Sequence, residues 1–292
     1  MEPIHFEDIT ACGENCTGCE KKKNGICKGC IESDGYVPEW AGSGRCPVHA
    51  CCRDHHVRFC GLCPKFPCAD LPRLIHWNPD IIAKQRELAE QFRRRGYPGR
   101  AEAERILAEA LPLNPGPWGN HSRTAAHCAE KIALYAGMDP DKAYVLGLLH
   151  DIGRRFGKRH LGHVSDGYTY MMSLGYADAA RICLTHSFND KRLESYVGNF
   201  DTSGEETRLI REKLQEAEFD DYDRLIQLCD AISGAEGVMD IIDRMSDVKR
   251  RYGEYDPDKW QKNLSLKAYF EKKMGKDLYE AVEKDRFSPE AG

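Results

Sequence analysis

His150 and Asp151 close the apolar run Val145-Leu146-Gly147-Leu148-Leu149, with Ile152-Gly153 following. Burying a carboxylate costs several kcal/mol unless a positive partner meets it. Imidazole and carboxylate are both ligands for divalent metals, so a metal ion is the partner this pair suggests. The flanks supply more groups of the same kind. His121 stands in Asn120-His121-Ser122-Arg123, and His160 and His163 in Arg159-His160-Leu161-Gly162-His163. His186 follows Cys183-Leu184-Thr185, and Asp230 sits among Leu225, Ile226, Leu228, Ala231 and Ile232. Singly, each reads as a satisfied core polar residue; the joint order points to a metal site. His127, six residues from His121, falls elsewhere on the helix and reads as structural.

A second chemistry is concentrated at the other end. Eleven of the 14 cysteines lie between Cys12 and Cys68. They include the turns Cys16-x2-Cys19, Cys27-x2-Cys30 and Cys60-x2-Cys63, with Cys12, Cys46, Cys51, Cys52 and Cys68 around them. A Cys-x-x-Cys turn places two thiolates on one metal, and two such turns complete a tetrahedral site. The expected ligands are Cys12, Cys16, Cys19, Cys27, Cys30, Cys46, Cys51, Cys60, Cys63 and Cys68, enough for two zinc ions. His49, His55 or His56 could replace a thiolate, and an iron–sulfur cluster uses the same residue types.

The elements that position these groups are helical. The Cys-rich stretch, residues 1–72, is rich in Gly and Pro, has little periodic apolar sequence, and is expected to need metal to fold. Residues 73–113 read as a helical linker, with helices over about 78–95 and 100–111 and a break at Gly96-Tyr97-Pro98-Gly99. From 114 to 288 the pattern is helical throughout, without strand alternation. Asn120 or Ser122 is a candidate cap for a helix reaching Tyr135, and Asp139-Pro140 opens the next. Further helices are expected over about 163–174, 177–186, 205–217, 221–235, 237–250 and 258–284. The expected fold class is all-α.

Composition narrows the partners. The chain has 292 residues and net charge −5, with no overall basic excess to attract nucleic acid or anionic membrane. Residues 1–75 carry nine Lys/Arg against ten Asp/Glu, so the Cys-rich stretch lacks a phosphate-binding footprint too. No apolar run approaches the ~18 residues of a membrane span. Met1-Glu2-Pro3-Ile4-His5 is not the start of a signal peptide, and a cytoplasmic location is expected.

The order of ligands over residues 114–250 resembles the HD superfamily of metal-dependent phosphohydrolases: a lone His, then His-Asp, then further His residues, then an Asp on a helix. His163-Val164-Ser165-Asp166-Gly167 is similar to its His-x-x-x-Gly step, with Val164 where Pro is usual. Ser187 stands where many two-metal members have a second consecutive His. The resemblance implies an HD-type helical bundle in which His121, His150, Asp151 and Asp230 bind one metal. Asp151 would bridge to a second, completed by His163 and His186, so that Asp151, His163 and His186 are also the expected catalytic groups. The implied cofactor is one or two divalent metals (Mn, Fe, Co, Ni, Mg or Zn). The implied reaction is hydrolysis of a phosphoester, a nucleotide or related small molecule, by water that the metals activate. Arg123, Arg154, Arg155, Lys158 and Lys191 are candidates to hold its phosphates; Arg159 and Arg192 belong to the same basic stretches. Separately, Cys12-Gly13-x-x-Cys16 and Phe59-Cys60-Gly61-Leu62-Cys63-Pro64-Lys65-Phe66-Pro67-Cys68 resemble a cysteine-rich family of unknown function, which implies a metal-binding module over residues 10–72.

Two other readings share these residues. Some HD-fold proteins hold two irons and oxygenate organic substrates with the same ligands. The chain could also be a non-catalytic sensor, with the Cys-rich unit docking a protein partner; an intact ligand set argues against that.

Overall fold

The computed structural model describes residues 6, 9–16, 19–42, 44–55 and 57–284. Among them are fourteen α-helices and, in place of strands, two isolated antiparallel bridges. The fold is all-α, as expected. Among the described residues no helix is long and apolar enough to cross a membrane. The chain divides into two compact units, Met1–Gly96 and Tyr97–Gly292.

The first unit contains α1 (Glu20–Lys23), α2 (Pro47–Asp54), α3 (Asp70–Leu74) and α4 (Ile81–Arg95). Its core is small and built partly from thiols: Val37, Cys46, Val48, Cys52, Cys60, Leu71 and Ile75. α4 had been expected in a linker, but it belongs to this unit for two packing reasons. A Cβ on Gly61 would lie 2.2 Å from the Gln85 carbonyl oxygen, so only glycine fits beneath the helix. Phe92 of α4 meets Phe6 and Phe59 edge-on, with ring centroids 5.1 and 5.6 Å apart. Such pairs add about 1 kcal/mol each beyond their burial.

The second unit holds α5 (Arg100–Ala110), α6 (Trp118–Tyr135), α7 (Pro140–Leu149), α8 (Gly162–Ser173), α9 (Ala177–Thr185), α10 (Gly204–Glu216), α11 (Asp221–Ile232), α12 (Ile241–Tyr252), α13 (Pro257–Met274) and α14 (Leu278–Ala281). α5, the other half of the expected linker, is tied here by an Arg100–Glu130 ion pair at 2.6 Å. α7 is apolar on every face from Val145 to Leu149 and fully buried there. Its start is fixed by Asp139, whose carboxylate accepts from the Asp141 and Lys142 amides, with Pro140 at the first helical position. A Cβ on Gly147 would meet Ala125 O and Ala126 Cα, each at 2.9 Å, so glycine allows α6 and α7 to approach closely.

Two boundaries in particular differ from expectation. α6 starts at Trp118 behind Pro117 without a side-chain cap, and Asn120 and Ser122 lie inside it. The long helix expected to residue 284 breaks at Gly275, whose left-handed backbone ends α13, and Asp277 caps the short α14.

Candidate metal centre

Six side chains from five parts of the second unit converge. His121 lies on α6, His150 ends α7, Asp151 follows it, His163 opens α8, His186 ends α9 and Asp230 lies in the last turn of α11. They form two triads, in each of which the ligand atoms all lie within 4.8 Å of one another: His121, His150 and Asp230, and Asp151, His163 and His186. His121 Nε2 is 3.2 Å from His150 Nε2 and 3.1 Å from Asp230 Oδ1. His163 Nε2 is 3.3 Å from His186 Nε2 and 3.1 Å from Asp151 Oδ1. The His150 and His186 ring centroids are 5.1 Å apart, so the triads adjoin.

Asp151 groups with His163 and His186, the residues on the second-ion side of the bridge expected of it. The physical reason lies in its second oxygen: Arg154 Nε donates to Asp151 Oδ2, while Oδ1 faces His163 and His186.

Every histidine is oriented from behind. His121 Nδ1 donates to Ser233 O at 3.1 Å, His150 Nδ1 to Gly147 O at 2.7 Å and His186 Nδ1 to Cys183 O at 2.9 Å; His163 Nδ1 donates to His160 O. A carbonyl can only accept, so Nδ1 carries a proton in each ring and Nε2 is the nitrogen turned toward the rest of its triad. Within each triad two Nε2 atoms and a carboxylate oxygen then face one another. Two imidazoles and a carboxylate converging in this way make a donor set suited to a divalent transition metal. The residues present therefore fit the metal the ligand types imply.

Burial lowers the pKa of His150 and takes that of His186 down to about 3, keeping both rings neutral. Burial also opposes ionisation of Asp151, but the Arg154 guanidinium, with the His163 contact, outweighs it and holds the carboxyl well below its usual range. Asp230 is half-buried, and its contact with His121 outweighs desolvation and holds its carboxyl low. A histidine that stays neutral when folded but titrates near 6.5 when unfolded lets the unfolded chain take up protons first. The metal-free protein should therefore lose stability as pH falls below 6.5, by about 1.4 kcal/mol per pH unit for each such ring. Melting of chelator-treated protein between pH 7 and 4 measures this; a flat profile would contradict it.

The triads open into a cavity of about 670 Å³. Arg154 and Lys158 line it, as do Arg159 and His160. Arg159 is largely neutralised by Asp166 at 2.8 Å and Glu206 at 2.7 Å, so Asp166 is an ion-pair partner rather than a solvated helix residue. Three expected phosphate-binding residues do not line the cavity. Arg123 is two positions past His121, about 200° around the helix, and pairs with Glu104 at 2.8 Å. Arg155 turns onto the Tyr170 ring, 4.1 Å from its centroid. Lys191 lies in a left-handed turn and donates to Ala217 O at 2.6 Å. Arg192 is drawn to Asp190 and Asp256. His127 bonds Val282 O at 2.9 Å, consistent with a structural role. Cavity residues that sequence reasoning missed include Tyr196, Arg244, Tyr255 and Lys259. Lys259, in Asp256-Pro257-Asp258-Lys259, has the look of a solvated first helical turn, and nothing in its neighbours marks it out.

In the first unit the cysteines are all free thiols and gather in two neighbourhoods. Burial, together with nearby Cys12, Cys16, Cys46 and Cys27, pushes the Cys30 thiol up to about 12. Cys51, Cys52, Cys60, Cys63 and Cys68 line one small apolar pocket with Val57 and Phe66. Cys19 adjoins Cys16 in the first neighbourhood. Among the described residues no three thiols come within 4.8 Å of one another, a wider spacing than in the histidine triads. His49 is engaged by Asp34 at 3.3 Å and His55 by Cys51 O at 2.9 Å; His56 lies outside the described residues.

The family model described as HD domain matches residues 118–235. The chain contains an HD domain. Its match begins at the first residue of α6 and ends just past α11, so it includes all six converging side chains. HD domains belong to a superfamily of metal-dependent hydrolases, and they bind divalent metals. Among curated proteins and among solved structures nothing matches the chain.

Proposed function

We propose that this HD domain hydrolyses a phosphoester of a small molecule, a nucleotide or a related compound, with a divalent metal held by each triad. The observation that carries the reading is the set of four backbone-anchored imidazoles whose Nε2 atoms face one another in pairs, with His121, His163 and His186 lining the cavity. Bound there, divalent metals supply Lewis acidity, which makes water nucleophilic at neutral pH and offsets charge developing on phosphoryl oxygens. The protein's own residues do the rest. The Nδ1–carbonyl bonds hold the rings in one tautomer and one orientation. Arg154 and Lys158 add positive charge to the wall, Lys158 from an exposed position and, among the described residues, without an ion-pair partner, which suits an anionic ligand. Trp118, Tyr196, Tyr252 and Tyr255 offer ring faces for an organic moiety. The volume lies within the roughly 300–1,000 Å³ usual for small-molecule sites. A thiol nucleophile is not needed: Cys183, beside α8, donates to Leu149 O at 3.3 Å, and burial raises its pKa.

A panel of phosphoesters assayed with Mn, Mg, Co, Ni and Fe, beside elemental analysis, tests the reading. Metal-dependent phosphate release is expected. A mixed-valent iron pair that consumes oxygen and releases no phosphate would turn the reading to oxygenation, and metal binding without turnover would turn it to sensing. For the Cys-rich unit we propose zinc, supported by the two thiol neighbourhoods; the same elemental analysis should find about two zinc ions per chain, and an iron–sulfur spectrum would overturn that assignment.

A further inference from the structure

Lys259 has no role in the site as described so far. It stands in the first turn of α13, beyond the end of the HD match, and lines the cavity. It is only 8% exposed. Its Nζ donates to Ser187 O at 2.6 Å and more weakly to Ser195 O at 3.4 Å. Among the described residues no carboxylate lies within ion-pair distance of it. An ammonium has three N–H donors, so one is uncommitted. Burying an ammonium without a counter-charge costs several kcal/mol, and proteins keep such groups charged where an anion will meet them. Burial pushes Lys259 down to about 8, while the more distant Asp230, Asp190 and Asp256 pull it back up, so it is still cationic at neutral pH.

Its position is held on both sides. Asn189 Nδ2 donates to Lys259 O at 3.1 Å and to Asn263 Oδ1 at 2.7 Å, clamping the first turns of α13 to the loop that follows α9. Ser187, whose carbonyl takes the shorter Nζ bond, directly follows His186. The charge is therefore held on the wall of the cavity that both triads line.

We propose that Lys259 is a substrate-binding residue whose ammonium takes a phosphoryl oxygen, pairing the anionic end of the substrate with α13 while the triads face the reacting bond. The inference rests on the phosphohydrolase reading for the identity of the ligand, but its geometry requires only an anion of phosphate type.

The test uses the full-length, metal-loaded protein and two readouts: calorimetric binding of orthophosphate, and kcat and KM for the best ester in the panel. Lys259→Gln keeps a donor for Ser187 O and removes the charge. Orthophosphate affinity should fall and KM rise by about tenfold or more, with metal content and melting temperature little changed; a purely structural lysine would move the melting temperature instead. Unaltered affinity and KM in a folded, metal-loaded variant would overturn the proposal. If the variant does not fold, a crystal structure of the wild-type protein with orthophosphate decides. An oxygen within about 3.2 Å of Lys259 Nζ supports the assignment, and phosphate bound out of its reach overturns it. Failure of the two readings is separable. If no ester is hydrolysed yet Lys259→Gln weakens orthophosphate binding, the reaction is misassigned and the anion site stands. If esters are hydrolysed with unchanged KM, only the Lys259 proposal falls.

Discussion

Asp151→Ala should lower phosphoester turnover by a factor on the order of a thousand or more, equivalent to about 4 kcal/mol of lost transition-state stabilisation. The carboxylate is the only anionic member of its triad, with Oδ1 3.1 Å from His163 Nε2 and 3.5 Å from His186 Nε2. Its loss removes the charge that attracts a metal there and leaves Arg154 without its partner, a second positive charge where a cation should bind. Metal content should fall while helical circular dichroism is retained. His186→Ala should be milder, emptying one triad and leaving His121, His150 and Asp230 intact. If His186→Ala keeps full activity and full metal content, the two-metal arrangement is wrong. If Asp151→Ala remains active, the hydrolase assignment itself fails.

Gly153→Ala is expected to be nearly as damaging, although the residue bears no ligand atom. A Cβ there would lie 1.9 Å from His163 O and 2.5 Å from Gly167 N. Both are backbone atoms, so no side chain can swing aside. Overpacking against main chain costs about 3 kcal/mol or more, which for a unit of this size corresponds to a fall of roughly 6–12 °C in Tm. Relief must come from α8 moving outward, which carries His163 away from Asp151. Calorimetry and metal analysis of the variant check both effects; unchanged Tm and full metal content would show that the approach is looser than described. The contact also accounts for two glycines of the motif together. Gly153 allows α8 to come close, and Gly167, 3.0 Å from Cys183 Cβ for any added methyl, lets α9 pack behind it.

The helices were legible because their ends are chemically marked. Asp139-Pro140 starts α7, and Ser203 and Asp220 with their partners Glu206 and Asp223 form capping boxes at α10 and α11. The ligand candidates were legible as residue types, since imidazoles and carboxylates are conspicuous in apolar sequence. Their grouping was not, because it depends on which Asp151 oxygen Arg154 occupies and on which carbonyl each Nδ1 finds. Arg123 and Lys191 stand close in sequence to His121 and His186, yet helix rotation and a left-handed turn carry them elsewhere. Lys259 failed in the opposite sense: among Asp256, Asp258 and Gln261 it has the context of a surface residue, and only the packing of α13 over the loop after α9 buries it. The extent of the first unit was hidden for a similar reason, since the glycine that admits α4 and the helix itself are 24 positions apart along the chain at Gly61 and Gln85.

The anchoring of His121 has a kinetic consequence. Its Nδ1 partner, Ser233 O, is 112 residues away along the chain. Bringing such distant segments together carries a loop-closure cost that is met before the contact rewards it, and contacts of this kind slow folding. The triad of His121, His150 and Asp230 should thus be complete only after α6 to α11 have assembled, late on the folding route. An interaction absent from the transition state leaves the folding rate alone and slows escape from the native state. Metal in this triad should accordingly act as a latch, lengthening the lifetime of the folded domain without hastening its formation.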